Sequence, residues 1–367
     1  MRIIFQGGDN MLGRAVQLTL PFQSPGDAEI SDSQTAEDYL ESIVDLNELD
    51  SIRQQNLKGG RYLWGDLPKD LGEDVRVLNL ECAPTLTVDV TENPGKGILY
   101  HCNLYNVPIV LSGFRAPLVL SLANNHSLDM GRTLFEDETL RFKNRFLENA
   151  IGIGSTVKEA TKPMRVGKFT IYAFGAGCSG VPSSWGATRT QSGIGYLPPI
   201  NSTQNVNLAF DMVKQSIFKS DDCVCISIHW GPNWAESQDD GQNFRVELAH
   251  RLIDELGVDL IYGHSSHHIR GIELYKGKLI LYGCGDLIND YEQIQSRLGD
   301  KLMEAGALFV VDLDDATYDL KSLDLIPIEI VKLQTRLISD PDKIQKVIDF
   351  VNHQSELDSP NPLILEV

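Results

Sequence analysis

Residues 252–268 read Leu-Ile-Asp-Glu-Leu-Gly-Val-Asp-Leu-Ile-Tyr-Gly-His-Ser-Ser-His-His. The first five close a helical stripe that begins at Asn243 and carries Val246, Leu248, Ala249, Leu252 and Ile253. Gly257 ends that helix, because glycine takes the left-handed conformation a helix C-cap favours. Val258–Tyr262 then reads as a buried strand: short, apolar and rich in branched side chains. Three histidines follow within five residues, in a chain with 8. In open α/β sheets, ligands bind outside the carboxyl ends of the strands. This one stretch therefore predicts an α/β fold with imidazoles delivered to a strand end.

The same grammar recurs along the chain. Arg2–Gln6 leads to Asp9, and Val75–Leu80 leads to Glu81. Pro117–Leu122 leads to Asn124, Asn125 and His126, and Cys223–Ile228 leads to His229. Each has an ordinary reading alone: Asp9 as a helix cap, the Asn-Asn-His as a turn, His229 as a core histidine. Five strand ends that each deliver carboxylate, amide or imidazole point instead to a divalent metal held by N and O donors. Phe169–Phe174 is a further strand, and Phe135–Asn149 a helix with Leu140, Phe142, Phe146 and Leu147 among charges.

After residue 262 the pattern becomes a meander: Ile269–Tyr275, Lys278–Tyr282, Gly306–Leu313 and Tyr318–Ile330 read as strands, with a tight turn at Lys276-Gly277. Asp340–Phe350 is a short amphipathic helix. The expected organisation is one α/β sandwich over 1–330, with 28–71 an acidic helical insertion on its surface. A C-terminal helix and tail, 331–367, would pack on it. Gly175–Pro199, rich in Gly, Ser and Pro, reads as a functional loop.

Composition narrows the function. The 367 residues carry 32 Lys+Arg against 51 Asp+Glu, a formal charge of −19. That balance repels phosphate backbones and argues against nucleic-acid binding. An apolar content of 42 % argues against disorder. No apolar run approaches the roughly 20 residues that span a bilayer. The apolar run after Met1-Arg2 is too short for a signal-peptide core. Six cysteines, at 82, 102, 178, 223, 225 and 284, form no CxxC pair. Cys223 and Cys225 would share one strand face and suit core packing. A reducing cytoplasm is the expected compartment.

The motifs resemble one family. Gly8-Asp9 through Arg14, Asn79-Leu80-Glu81, Ser121-Leu-Ala-Asn-Asn-His126 with Asp129 and Gly131, and His229-Trp-Gly231 are similar to CapA-type proteins. So are Gly263-His264-x-x-His267 and Gly271-Ile-Glu273-x-Tyr-Lys-Gly277. These are the poly-gamma-glutamate capsule-synthesis relatives within the calcineurin-like metallophosphoesterase superfamily. The resemblance covers about residues 1–315. It implies a four-layer αββα sandwich with one or two divalent ions (Mn, Fe, Zn, Mg or Ca). Glu81 would take the bridging position. Asn125, His229 and His264 would complete one site, and Asp9 and His267 would serve the other.

The sequence also departs from the family's pattern. The usual Asp-x-His pair is here Asp9-Asn10-Met11, which lacks one ligand. Gly-His-His-Pro-His becomes Gly263-His264-Ser-Ser-His267, and Gly-Asn-Phe becomes Gly285-Asp286-Leu287. Asp286 thus adds a carboxylate, as ligand, base or turn cap. The resemblance makes His126 a proton donor or transition-state contact. Asp129, three residues on, would hold its tautomer. Arg14 would meet an anionic substrate group, or else pack structurally. Trp230 and Trp234 would wall the pocket, or else fill the core.

The expected activity is a metal-dependent hydrolase acting on a phosphoester or a peptide or gamma-glutamyl bond. The alternatives are proton transfer without hydrolysis, as in epimerisation or cyclisation of a peptide-like substrate, and a non-catalytic role in capsule polymer synthesis. The expected partners are a small-molecule or peptide substrate, anionic only if small or engaged by one end, and a capsule- or peptide-synthesis protein. Direct membrane insertion is not expected.

Overall fold

Alternation within the strands sorts the apolar residues into layers. The computed structural model describes residues 1–24, 35–67, 75–93, 96–114, 117–218, 221–234, 241–291 and 305–366. Its first sheet has eight strands. Arg2–Asn10 (β1), Val75–Leu80 (β2), Leu118–Ser121 (β3) and Ala150–Ile151 run parallel. On the other side of β1, Gly306–Leu313, Leu320–Val331 and Gln334–Leu337 continue the sheet as an antiparallel meander. Asp286–Ile288 pairs with the end of β1.

The second sheet has seven strands. Phe169–Ala176 (β4), Cys223–His229 (β5) and Leu260–His264 (β6) form its parallel centre. Lys278–Leu281 and Ile272–Tyr275 extend it as a hairpin. Lys276 and Gly277 make that turn at φ 51° and 82°. Both are left-handed, as a two-residue hairpin with the right twist requires.

The two sheets face each other. Ile3 and Phe5 of β1 and Val77 of β2 share one buried cluster with Ile171, Ala173, Cys223, Cys225, Leu260 and Tyr262. The Tyr262 ring stacks on Phe5 at 4.6 Å, and its hydroxyl donates to the Gly7 carbonyl at 2.6 Å. The alternate residues Tyr172, Phe174, Val224, Ile226, Ile228 and Ile261 point the other way, against helices Thr203–Ser216 and Gln242–Leu256 (α1). Helices Ala36–Ile43, Leu49–Asn56 and Asn106–Leu111 pack Leu40, Ile52 and Val110 into the first sheet's cluster. The result is the four-layer αββα sandwich.

Several expected elements shift at their ends. β6 begins at Leu260 and includes His264. The 135–149 helix is a π-helical turn, Phe135–Leu140, followed by Arg141–Phe146. Within 28–71, residues 28–34 and 68–71 lie outside the described residues. Leu63 and Trp64 of that stretch are buried, with the Trp64 indole donating to the Val110 carbonyl at 2.8 Å. All six cysteines are free, and Cys223 and Cys225 sit side by side in the inter-sheet layer. No helix among the described residues is long and apolar enough to cross a membrane.

The C-terminal helix, Pro341–Asp358 (α2), runs 18 residues, well past Phe350. The polar run Asn352-His353-Gln354 hides its continuation in the sequence. Asp358 anchors its end: the carboxylate accepts from Arg270 Nε at 2.8 Å and Nη2 at 2.7 Å, and from Gly271 N at 2.8 Å. Asp358→Ala is expected to cost about 3–5 kcal/mol, because it removes the carboxylate that forks onto a buried guanidinium and caps the Gly271 N–H. Urea unfolding checks this, and a loss below about 1 kcal/mol, the scale of an exposed pair, would contradict it.

Candidate metal centre at the strand ends

The parallel strands β1, β2, β5 and β6 end at one place. In register, Asp9 lies beside Asn79, and His229 lies beside His264. A register shift between Phe5 and Asp9 re-aims the end of β1. Gly8 permits this, since its N–H donates to Gly285 O at 2.6 Å and a Cβ there would sit 2.7 Å from that oxygen. Asp9 is held from two sides. Asn79 Nδ2 donates to Oδ1 at 2.6 Å, and the Ser265 N–H donates to Oδ2 at 3.0 Å.

Two groups of donors converge there. Asp9, His229 and His264 form one, and Asp9, Glu81 and His267 the other; within each, the ligand atoms lie within 4.8 Å of one another. The carboxylate common to both is Asp9, where the resemblance implies Glu81. The two histidines of the first group hold each other in place. Asn125 Oδ1 can only accept, so His229 Nε2 donates to it, at 2.9 Å. His229 Nδ1 lies 2.9 Å from His264 Nδ1, and His264 Nε2 lies 2.9 Å from the Ser227 hydroxyl.

Glu81 is different. Both its oxygens are buried without a hydrogen-bond partner, 3.8 Å from His126 Nε2 and 3.8 Å from His229 Nε2. Burial, then the charges of Asp9 and Asp286, raise its pKa well above the carboxylate range. Burial works the same way on Asp9, but His229, with His264 and His267, outweighs it and keeps Asp9 ionised. An orphaned carboxylate beside an ionised one, ringed by imidazoles, fits a divalent cation.

His126 faces this cluster from the β3 side. Its Nδ1–H donates to Asp129 Oδ2 at 2.5 Å, which leaves the lone pair on Nε2 toward Glu81. Burial lowers its pKa to about 4, against the opposing pull of Asp129. Tyr100 stacks on the ring at 4.1 Å, and its backbone N–H donates to Asp129 Oδ2 at 2.7 Å. Lys96, with no signal in the sequence, also pairs with Asp129, its Nζ 3.0 Å from His126 Nδ1. Asn124 and Asn79, both within the quoted motifs, act as supports for the loop. Asn124 pins the loop by donating to Leu80 O at 2.7 Å and to Asn79 Oδ1 at 3.2 Å.

The remaining expected residues divide. Asp286 joins the site by bonding His267, at 3.1 Å from Nδ1. That pairing raises the His267 pKa against burial, which lowers it. Arg14 is turned away from any substrate anion: it is 2 % exposed and forks onto Asp290, which also accepts from the Ala15 N–H at 3.0 Å. Trp230 is core, its indole donating to Tyr282 O at 2.9 Å. Trp234 stands beside the site, 5.3 Å from the His267 ring. The 175–199 loop is tied to the His229 turn, with Ser179 Oγ donating to His229 O at 3.0 Å. Its Trp185 lies 5.4 Å from Lys96 Nζ.

The profile of the family described as "Bacterial capsule synthesis protein PGA_cap" matches residues 3–291. A Mycobacterium tuberculosis protein called a probable polyglutamine synthesis accessory protein is 33% identical over 349 residues, 92% of this chain and 87% of that one. The Bacillus subtilis PGA biosynthesis protein CapA is 28% identical over 183 residues, 49% of this chain and 44% of its own length. Among solved structures, a phosphatase from Mycoplasma pneumoniae aligns with TM-score 0.40 and 12% identity, over 94% of this chain and 96% of that one.

Proposed function

Because the chain belongs to the PGA_cap family of bacterial capsule synthesis proteins, we propose that it is a metal-dependent hydrolase serving amino-acid polymer synthesis. Its substrate in this reading is a phosphoester or a peptide or gamma-glutamyl bond. The observation that carries the reading is Glu81, buried and unpartnered beside Asp9 and three imidazoles. Asp9, Glu81, Asn125, His229, His264 and His267 would hold one or two divalent ions. When bound, such an ion supplies water of lowered pKa and polarises a phosphoryl or carbonyl oxygen.

The protein's own part is positioning and proton movement. Asp129 fixes the His126 ring, so Nε2 meets whatever lies over Glu81. That nitrogen takes a proton or returns it to a leaving group. His126→Gln is expected to lower turnover by about 10²–10⁴ while leaving bound metal unchanged. Steady-state kinetics with metal analysis of the same sample check this. The net charge of −19 disfavours capture of a polyanion over a broad surface. The substrate is therefore small or engaged by one end, and a synthesis protein is the fitting partner.

The basic tautomer of His126 also favours a second reading, proton abstraction from a peptide-like substrate. Assays with phosphoester and gamma-glutamyl substrates, run in D₂O with and without metal, separate the two. Metal-dependent cleavage supports hydrolysis. Deuterium entering intact substrate supports proton transfer. Neither activity, in a protein that binds no divalent ion, would refute both.

A further inference from the structure

The second donor group holds a single imidazole, His267, against two in the first. We propose that Asp286 is a positioning residue for the metal centre: it presents His267 Nε2 to the space shared with Asp9 and Glu81. This rests on the metal-dependent reading and assigns Asp286 a role that is neither ligand nor base.

Topology brings the pair together. Asp286 opens the short strand beside β1, in register with Asp9. The strand is fixed by backbone bonds, Asp9 N to Gly285 O at 3.1 Å and Met11 N to Ile288 O at 2.9 Å. Asp286 and His267 are both nearly buried. The two carboxylate oxygens lie 3.2 and 3.1 Å from His267 Nδ1. A carboxylate accepts, so Nδ1 carries a proton and Nε2 is the nitrogen left to face a cation.

The other face of Asp286 is engaged as well. Asn289 Nδ2 donates to Oδ2 at 2.8 Å. With its oxygens committed to His267 and Asn289, Asp286 adds no atom to either converging group among the described residues. The order Asn289, Asp286, His267 is thus a carboxylate-to-histidine relay. Such a relay fixes the ring and raises the basicity of the ligating nitrogen, and its loss weakens metal binding by about 10–100-fold.

Calorimetric titration of the chelator-treated full chain with Mn²⁺ alone tests this. Asp286→Ala is expected to weaken one binding event by about 10–100-fold and to leave the other as in wild type. Asp286→Asn, whose amide oxygen still accepts the Nδ1 proton, recovers most of the affinity. Asp286→Ala added to His267→Ala causes no further loss, because one residue acts through the other. A wild-type isotherm for Asp286→Ala overturns the proposal, and so does full additivity with His267→Ala. If Asp286→Ala does not fold, Asn289→Ala replaces it and should weaken the same event; unchanged binding overturns the proposal. Failure of the wild-type protein to bind Mn²⁺, Zn²⁺ or Fe²⁺ overturns the metal-dependent reading itself.

Discussion

Replacing Glu81 with glutamine is expected to remove stable divalent-ion binding and, in chelator near pH 8, to make the protein more stable than wild type. Burial and two neighbouring carboxylates raise the Glu81 pKa. The folded state therefore holds a proton that the unfolded chain, with an ordinary carboxylate near 4.3, has released. That contribution is fully present below the unfolded pKa and is lost as pH rises through the raised folded value. Glutamine resembles the protonated side chain and carries no charge to desolvate. The gain should be about 1–3 kcal/mol at pH 8, the scale of an unsatisfied buried polar group, and close to nothing at pH 4. Urea unfolding at the two pH values in chelator measures it. Lower stability for the variant at pH 8 would mean that Glu81 has a protein partner.

A loss of stability as large as that of Asp358→Ala should follow from Asp290→Ala. Asp290 is fully buried and holds both Arg14 and the Ala15 N–H. Arg14 in turn sits at φ 49°, left-handed for a residue with a Cβ, and its guanidinium lies 4.1 Å from the Tyr39 ring centroid. Removing the carboxylate leaves a buried cation unpaired and releases a strained turn directly after the loop that carries Asp9. The expected cost is about 3–5 kcal/mol. The double variant R14M/D290L should be much less damaging than D290A, because it removes both charges and refills the volume. Equal losses in the two proteins would show that Asp290 matters for its backbone bond rather than for its charge.

The sandwich was legible because short apolar runs and their end residues repeat in order. β2 and Gly306–Leu313 fall where the pattern of Val, Leu and Ile puts them. The candidate donors were legible for the same reason: Asp9, Glu81, His229 and His264 each follow, or end, such a run, and their side chains converge. Two kinds of feature were not. Partners that act across the fold, such as Lys96 on Asp129 or Asp358 on Arg270, carry no local pattern, since long-range topology alone makes them neighbours. Arg14 was ambiguous because an arginine after a site loop serves an anion or an aspartate equally well, and Asp290 lies 276 residues away.

The central claim is that these strand ends hold a divalent ion. Thermal unfolding of the chelator-treated full chain, repeated with Mn²⁺, Zn²⁺ or Fe²⁺ at graded concentrations, tests it most directly. Binding predicts a melting temperature that rises with ion concentration, with about 2.7 kcal/mol of stabilisation at a hundred times Kd. His229→Ala and Glu81→Gln should abolish that rise. No shift with any of the three ions, or the same shift in both variants, would contradict the account.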